Sequence, residues 1–261
     1  YAGIPTFASL PSKAIDFKNP DFGDLQVAVI GVPMDLGVSN RPGSRFGPRA
    51  MRSIERIGPY NHVLDCAPGF DLRMADVGDI PFASRYRLEE SHKDIEAAIS
   101  KVVGAGVIPV SIGGDHSITH PILKAVGRDR PVGLIHIDAH CDTGGPFDQT
   151  KFHHGGPMRN AVLDGVLDPV RTIQIGIRGP SEYLWEFSYA SGMTVIHGEE
   201  VPHMGIGAII ELIRGLKGVN LVGADVVEVA PQYDSTTNTA QAGAQVLFEI
   251  LSLLTFSPAL A

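Results

Sequence analysis

Apolar runs alternate with amphipathic stretches along most of this chain, and few folds accept that pattern. Residues 26–33 (QVAVIGVP), 107–112, 132–138, 172–177, 194–197 and 219–229 read as strands. Helices are expected at 48–57, 87–103 with Gly104 closing it, 117–126, 157–164, 181–190, 204–216 and 239–254. Strands that are apolar throughout, rather than alternating, belong in a parallel sheet covered on both faces. Strand and helix in turn then require right-handed crossovers. The expected fold is α/β in three layers, αβα, with a parallel sheet, built as one domain over residues 1–261. Residues 1–24, broken by Pro and Asp, read as an arm on the surface. Weaker strand or turn signals surround Val63 and Leu64 and residues 74–77, and residues 233–238 form a polar turn.

Such sheets bind ligands at the carboxyl ends of their strands. Two runs end there in side chains that can hold a metal: residues 107–112 lead into G-G-D-H with His116, and residues 132–138 into D-A-H-C-D. In an extended strand Asp138 and His140 share a face about 6 to 7 Å apart, with Asp142 about twice as far. One ion could not reach all three, so the chain must curl after His140, and Thr143-Gly144-Gly145-Pro146 permits it. Imidazole mixed with hard oxygen donors favours Mn²⁺, with Ni²⁺, Fe²⁺, Co²⁺ and Zn²⁺ next. The other histidines, His62, His92, His120, His136, His197 and His203, read as ordinary core or surface residues. Only His136 shares the Asp138 face.

Composition removes several alternatives. With 261 residues and 44% hydrophobic content the chain can bury a full core. Its 21 basic and 29 acidic residues give a net charge of −8, without a basic block, which argues against a nucleic-acid partner. Cys66 and Cys141 are too few for a disulfide framework. No 18-residue apolar segment and no signal sequence are evident, so a cytoplasmic chain without membrane contact is expected.

GGDHS at 113–117, IDAHCD at 137–142, HHGGP at 153–157 and DVVEVAP at 225–231 resemble the ureohydrolase family of arginases, agmatinases and guanidino-acid hydrolases. The loop GVPMDLGVSNRPGSRFGPRAMR at 31–52 is similar to the agmatinase-like branch, and HHGGP with the tail NTAQAGAQ leans towards guanidinobutyrase. The likeness spans about residues 26–254. It implies an arginase-like fold, a trimer or hexamer of identical chains, and a binuclear Mn²⁺ centre, with Ni²⁺ possible. There a bridging hydroxide hydrolyses a guanidino compound, 4-guanidinobutyrate or a similar one, to urea and an amine. By match of motif, His116 and Asp142 would bind one ion, His140 the other, and Asp138 would bridge. Asp142, His154 and Glu228 would carry catalysis: His154 hands a proton to the departing amine, and Glu228 pairs with the guanidinium. Arg41 and Arg45, on the loop after the first strand, are candidates for clamping a substrate carboxylate.

The family also carries a second aspartate pair, in a strand-ending segment like S-F-D-x-D-x-x-D-P. Nothing similar occurs here. Against that pattern, a seam near residues 210–213 implies a missing segment of a few tens of residues, with two metal-ligating aspartates and a central strand. Such a loss would leave unpaired backbone groups and a void. A segment that loses order without metal and is omitted is one reading of the seam. The other is a catalytically impaired subunit serving an active partner in a hetero-oligomer. An agmatinase is a further alternative for the substrate.

Overall fold

The computed structural model describes residues 3–55, 57–179, 185–200 and 205–260. In chain order these form β1 (Val27–Val32), α1 (Gly47–Arg52), α2 (Pro68–Asp71), β2 (Met74–Asp79), α3 (Leu88–Gly104), β3 (Ile108–Gly113), α4 (Thr119–Val126), β4 (Val132–Ile137), α5 (Pro157–Leu163), β5 (Leu167–Ile177), α6 (Glu186–Ser191), β6 (Thr194–His197), α7 (Ile206–Gly215), β7 (Ala224–Val226) and α8 (Asn238–Leu254). Every strand pairing is parallel.

The layers follow from the two-residue period of a strand. In β1, Val27 and Val29 face a core shared with Met51 of α1 and Leu247 and Leu251 of α8. Ala28, Ile30 and Val32 face the opposite way, onto Ile95 and Ile99 of α3 and Ile122 of α4. Every residue of β1 and of β3 is buried. Each large side chain so enclosed contributes about 1.5–3 kcal/mol of transfer free energy.

The pairing departs from one continuous sheet. The strands form a four-stranded sheet in the order β2-β1-β3-β7 and a three-stranded sheet in the order β4-β5-β6. β7 therefore ends the first sheet, and β4 the second. Neither edge is buried as a central parallel strand should be: His136 is the only fully buried residue of β4, and all three residues of β7 are half-exposed.

Other expectations need correction. The strand expected over 219–229 is reduced to Ala224–Val226, which among the described residues pairs with β3 alone. Of the strand or turn expected around Val63 and Leu64, the turn is what forms, since Asn61 Oδ1 accepts both of their backbone N–H groups. The helix expected to reach residue 57 stops at Arg52. There the Ser53 N–H is shared between the carbonyls of Arg49 and Ala50, and the Ser53 hydroxyl donates to Arg49 O. The arm is not merely superficial, for Phe7, Leu10, Phe17 and Phe22 are all buried. Of the helix expected at 181–190, residues 181–184 lie outside the described residues, as do His203 and the start of the helix expected at 204–216. α7 crosses residues 210–213 unbroken. No helix among the described residues is long and apolar enough to cross a membrane.

Candidate metal and substrate site

Asp138 is placed by the end of β4. Its N–H still continues the ladder to Ile175 O at 3.1 Å, while its Oδ1 accepts the N–H of His140 at 2.9 Å and so starts the turn. The chain then curls as the spacing demanded. Asp142 takes a left-handed conformation, φ 50°, and its carboxylate comes back to 2.6 Å from His116 Nδ1. That nitrogen also lies 3.2 Å from Asp138 Oδ2. The two strand ends therefore converge.

His116 reaches this point because the Gly113-Gly114 turn packs directly on the loop after β1. Gly114 has φ +68°, and a Cβ there would collide with the carbonyl oxygens of Val32 and Met34. Asp115 is fully buried and binds the same loop, accepting N–H groups from Gly37 and Ser117 at 2.8 Å each. Burial pushes its carboxyl up to about 6, against the pull of those donors. On the far side of Ser117, His92 Nε2 meets the Ser117 hydroxyl at 3.1 Å.

His92 makes the turn sensitive to acid. Burial, aided by the nearby His120 and Lys124, lowers its pKa from 6.5 to about 3. Below about pH 6.5 the unfolded chain takes up a proton that the folded chain refuses, so stability is full above that pH and is lost as pH falls towards 3. At pH 5 this amounts to about 2 kcal/mol. Urea denaturation of the parent and of His92→Gln at pH 7 and pH 5 should show a smaller acid loss in the variant. Equal losses would sink the assignment.

Ligand atoms of His116, His136, Asp138 and Asp142 all lie within 4.8 Å of one another. His116 Nδ1 and His136 Nε2 are buried without a hydrogen-bond partner. The nitrogen of His116, close to two carboxylate oxygens yet aligned with neither, is aimed between them. That is the arrangement of donors around a cation, and leaving the nitrogen bare costs about 1–3 kcal/mol. Burial opposes protonation of His116, but Asp142 and Asp138 outweigh it and raise its pKa well above 6.5. Asp138 is likewise held below the usual carboxylate range by His116 and His136, despite its burial. A metal ion would displace that proton.

His136 has a different part. The amide nitrogen of fully buried Gln174 donates to Cys141 O at 2.6 Å and to His136 Nδ1 at 3.1 Å. With Nδ1 accepting, the ring proton sits on Nε2, which faces Asp138 Oδ2 at 3.6 Å. His136 in this tautomer turns a proton rather than a lone pair towards Asp138. Alternation along the strand gave a signal for His136, whereas nothing in the sequence pointed to Gln174. His140, expected as a ligand, is outside the four-residue group: its imidazole is 64% exposed, with Nδ1 3.6 Å from Asp138 Oδ1.

Glu228 lies just beyond β7 in a left-handed conformation, φ 63°, secured by its N–H to Gly114 O at 2.9 Å. Its Oε1 accepts the His116 N–H at 2.8 Å and lies 3.4 Å from His154 Nδ1. Strained conformations at both Asp142 and Glu228 fit a site that the surrounding structure over-determines. His154 Nε2 meets the Ser39 hydroxyl at 3.0 Å, and its pKa is raised, chiefly by Glu228. The neighbouring His153 is bound to the loop through Gly145 O at 2.8 Å, so the two histidines are distinguishable.

The two arginines separate as well. Arg45 pairs with Asp35, whose side chain is fully buried and also accepts the Gly43 N–H at 2.6 Å, so Arg45 braces its own loop. This corrects its expected role as a clamp. Arg41 is exposed, with its guanidinium 5.5 Å from the centre of the Tyr233 ring. Pro42 O accepts from Gln232 Nε2 at 2.8 Å and from the Tyr233 hydroxyl at 3.2 Å, which fixes this loop beside the segment that follows Glu228.

A family model described as the Arginase family matches residues 25–214 and 208–252. The guanidinopropionase of Pseudomonas aeruginosa is 39% identical over 307 aligned positions, covering 99% of this chain and 94% of that protein. The mitochondrial agmatinase of Gallus gallus is 39% identical over 277, covering 88% and 81%. Among solved structures, the proclavaminate amidino hydrolase of Streptomyces clavuligerus superposes with a TM-score of 0.86 at 28% identity, covering 98% of this chain and 99% of that one.

Proposed function

The chain belongs to the arginase family, whose ureohydrolases act on C–N bonds of linear amidines, and from that premise we propose that it hydrolyses a guanidino acid with a short carboxylate tail, of the 4-guanidinobutyrate class, to urea and an amine. The observation that carries this reading is the contact of Glu228 with both His116 and His154, beside Asp138 and Asp142.

Glu228 Oε2 makes no hydrogen bond among the described residues, so a planar guanidinium can approach it and gain a charge-assisted pair. His154, whose pKa is raised chiefly by its hydrogen bond to Glu228, stands where the departing amine needs a proton. Ser39 on its other nitrogen holds the ring in place. His116, Asp138 and Asp142 fit a divalent cation, manganese before nickel by donor hardness. When bound, it would lower the pKa of a water beside the guanidinium carbon. For a second cation the described residues supply only Asp138 and His140.

Two relatives of equal identity, one named for an acid substrate and one for agmatine, leave the tail charge open. Arg41, exposed on the loop that carries Ser39, supports the acid tail. Replacing Arg41 by Ala should raise KM for 4-guanidinobutyrate about tenfold and leave agmatine unaffected or improved. Urea release on both substrates checks this, and equal changes on the two would remove the acid-tail reading.

A second reading is favoured by the missing aspartate segment: an impaired subunit that supports an active ureohydrolase in a hetero-oligomer. Co-purification with such a relative, and urea release only in its presence, would select it.

A further inference from the structure

We infer that this chain holds one divalent cation, on His116, Asp138 and Asp142, because an open seam between β4 and β7 leaves His140 without the donors that a second cation would need. The inference rests on the cation site of the proposed hydrolase, not on its substrate.

Three observations place the seam. The alignment with guanidinopropionase spans 307 positions against the 261 residues here, so at least 46 of its positions have no counterpart in this chain. The two stretches that match the family model both include residues 208–214, as expected where the middle of the model has no residues to match. That point lies in α7, between β6 and β7 in sequence. In space, the sheets part between β7 and β4, while the ends of both strands still meet at His116 through Glu228 and Asp138. A parallel strand at that seam would pair both edges and join the two sheets. A strand with its crossover needs a dozen or more residues, and the missing positions suffice.

The chemistry agrees with the topology. The carboxyl end of such a strand would fall between Asp138 and Glu228, on the side of His140. As the chain stands, His140 is exposed, with Asp138 Oδ1 at 3.6 Å. Two protein donors fall short of the three or more with which proteins hold zinc.

The chain equilibrated with excess Mn²⁺ and desalted should carry one ion per chain by mass spectrometry of the metal. His116→Ala should carry none, and His140→Ala should keep one. A graft of the corresponding guanidinopropionase residues between Ile210 and Glu211 should carry two, and His140→Ala in the graft should return it to one. Two ions or none in the natural chain would overturn the inference, as would loss of the single ion in His140→Ala or a folded graft that still binds one. Should the graft not fold, the two variants of the natural chain decide. A chain that holds one ion but releases no urea from any guanidino acid removes the substrate reading and leaves this inference standing.

Discussion

Replacing Glu228 by Gln is expected to lower kcat/KM for the guanidino acid by about a thousandfold, or about 4 kcal/mol. The amide keeps the shape and can still accept the His116 N–H, now made to Glu228 Oε1 at 2.8 Å, so the turn should survive. What is lost is the negative charge that faces the guanidinium. Truncating one member of a desolvated charged pair costs about 2–5 kcal/mol. A second effect separates this from a structural defect. Glu228 is the largest cause of the raised His154 pKa. If His154 gives its proton to the amine, activity falls as pH rises through that pKa, and the variant's basic limb should move to lower pH. Urea release against pH in parent and variant measures both. A variant within tenfold of the parent, with an unmoved limb, would take Glu228 out of the reaction.

The parts of this fold legible in the sequence are those fixed by local pattern. β1 and β3 are apolar at every position because helices cover both of their faces, and the pattern states as much. The rim where His116 meets Asp138 and Asp142 followed from two strand ends and a permissive turn. The fate of β7 did not follow. An apolar run from 219 to 229 promises a long strand, yet among the described residues β7 pairs only with β3, and over three residues. No window of sequence contains that information. Only the family pattern did, by what is missing near residues 210–213, inside α7.

Side-chain roles behave in the same way. Arg41 and Arg45 are equivalent as letters on a loop, and the buried carboxylate of Asp35 alone separates them. His153 and His154 are adjacent in sequence and differ only in what each nitrogen meets. Gln174, inside an apolar strand, gains its part from Cys141 O and His136, which are distant in sequence. Contacts between distant segments decide these cases.

Stability should be most exposed to change at the opposite edge of the four-stranded sheet, where replacing Asp76 by Ala is expected to cost about 3–5 kcal/mol. Asp76 is buried in β2. Its Oδ2 accepts the Phe7 N–H at 2.9 Å and Arg52 Nε at 2.8 Å, and its Oδ1 accepts Arg52 Nη2 at 2.9 Å and the Gly78 N–H at 3.0 Å. Removing it leaves the Arg52 guanidinium, only 10% exposed, with the more exposed Asp79 as its remaining carboxylate. Burial opposes the charge on Arg52, and Asp76 together with Asp79 outweighs that burial and raises its pKa. The arm should loosen too, since its Phe7 N–H loses its acceptor. The double variant Asp76→Leu with Arg52→Met should recover most of the loss, because a buried pair replaced whole by apolar side chains is often neutral. By contrast Arg171→Ala, which breaks the exposed pair with Asp168, should cost no more than about 1 kcal/mol. Urea denaturation ranks the three. Because β1 and β3 stand between β2 and the site, kcat of the folded Asp76→Ala chain should match the parent's. A loss below 1 kcal/mol in Asp76→Ala would mean that the arm and Arg52 are held by something other than this carboxylate.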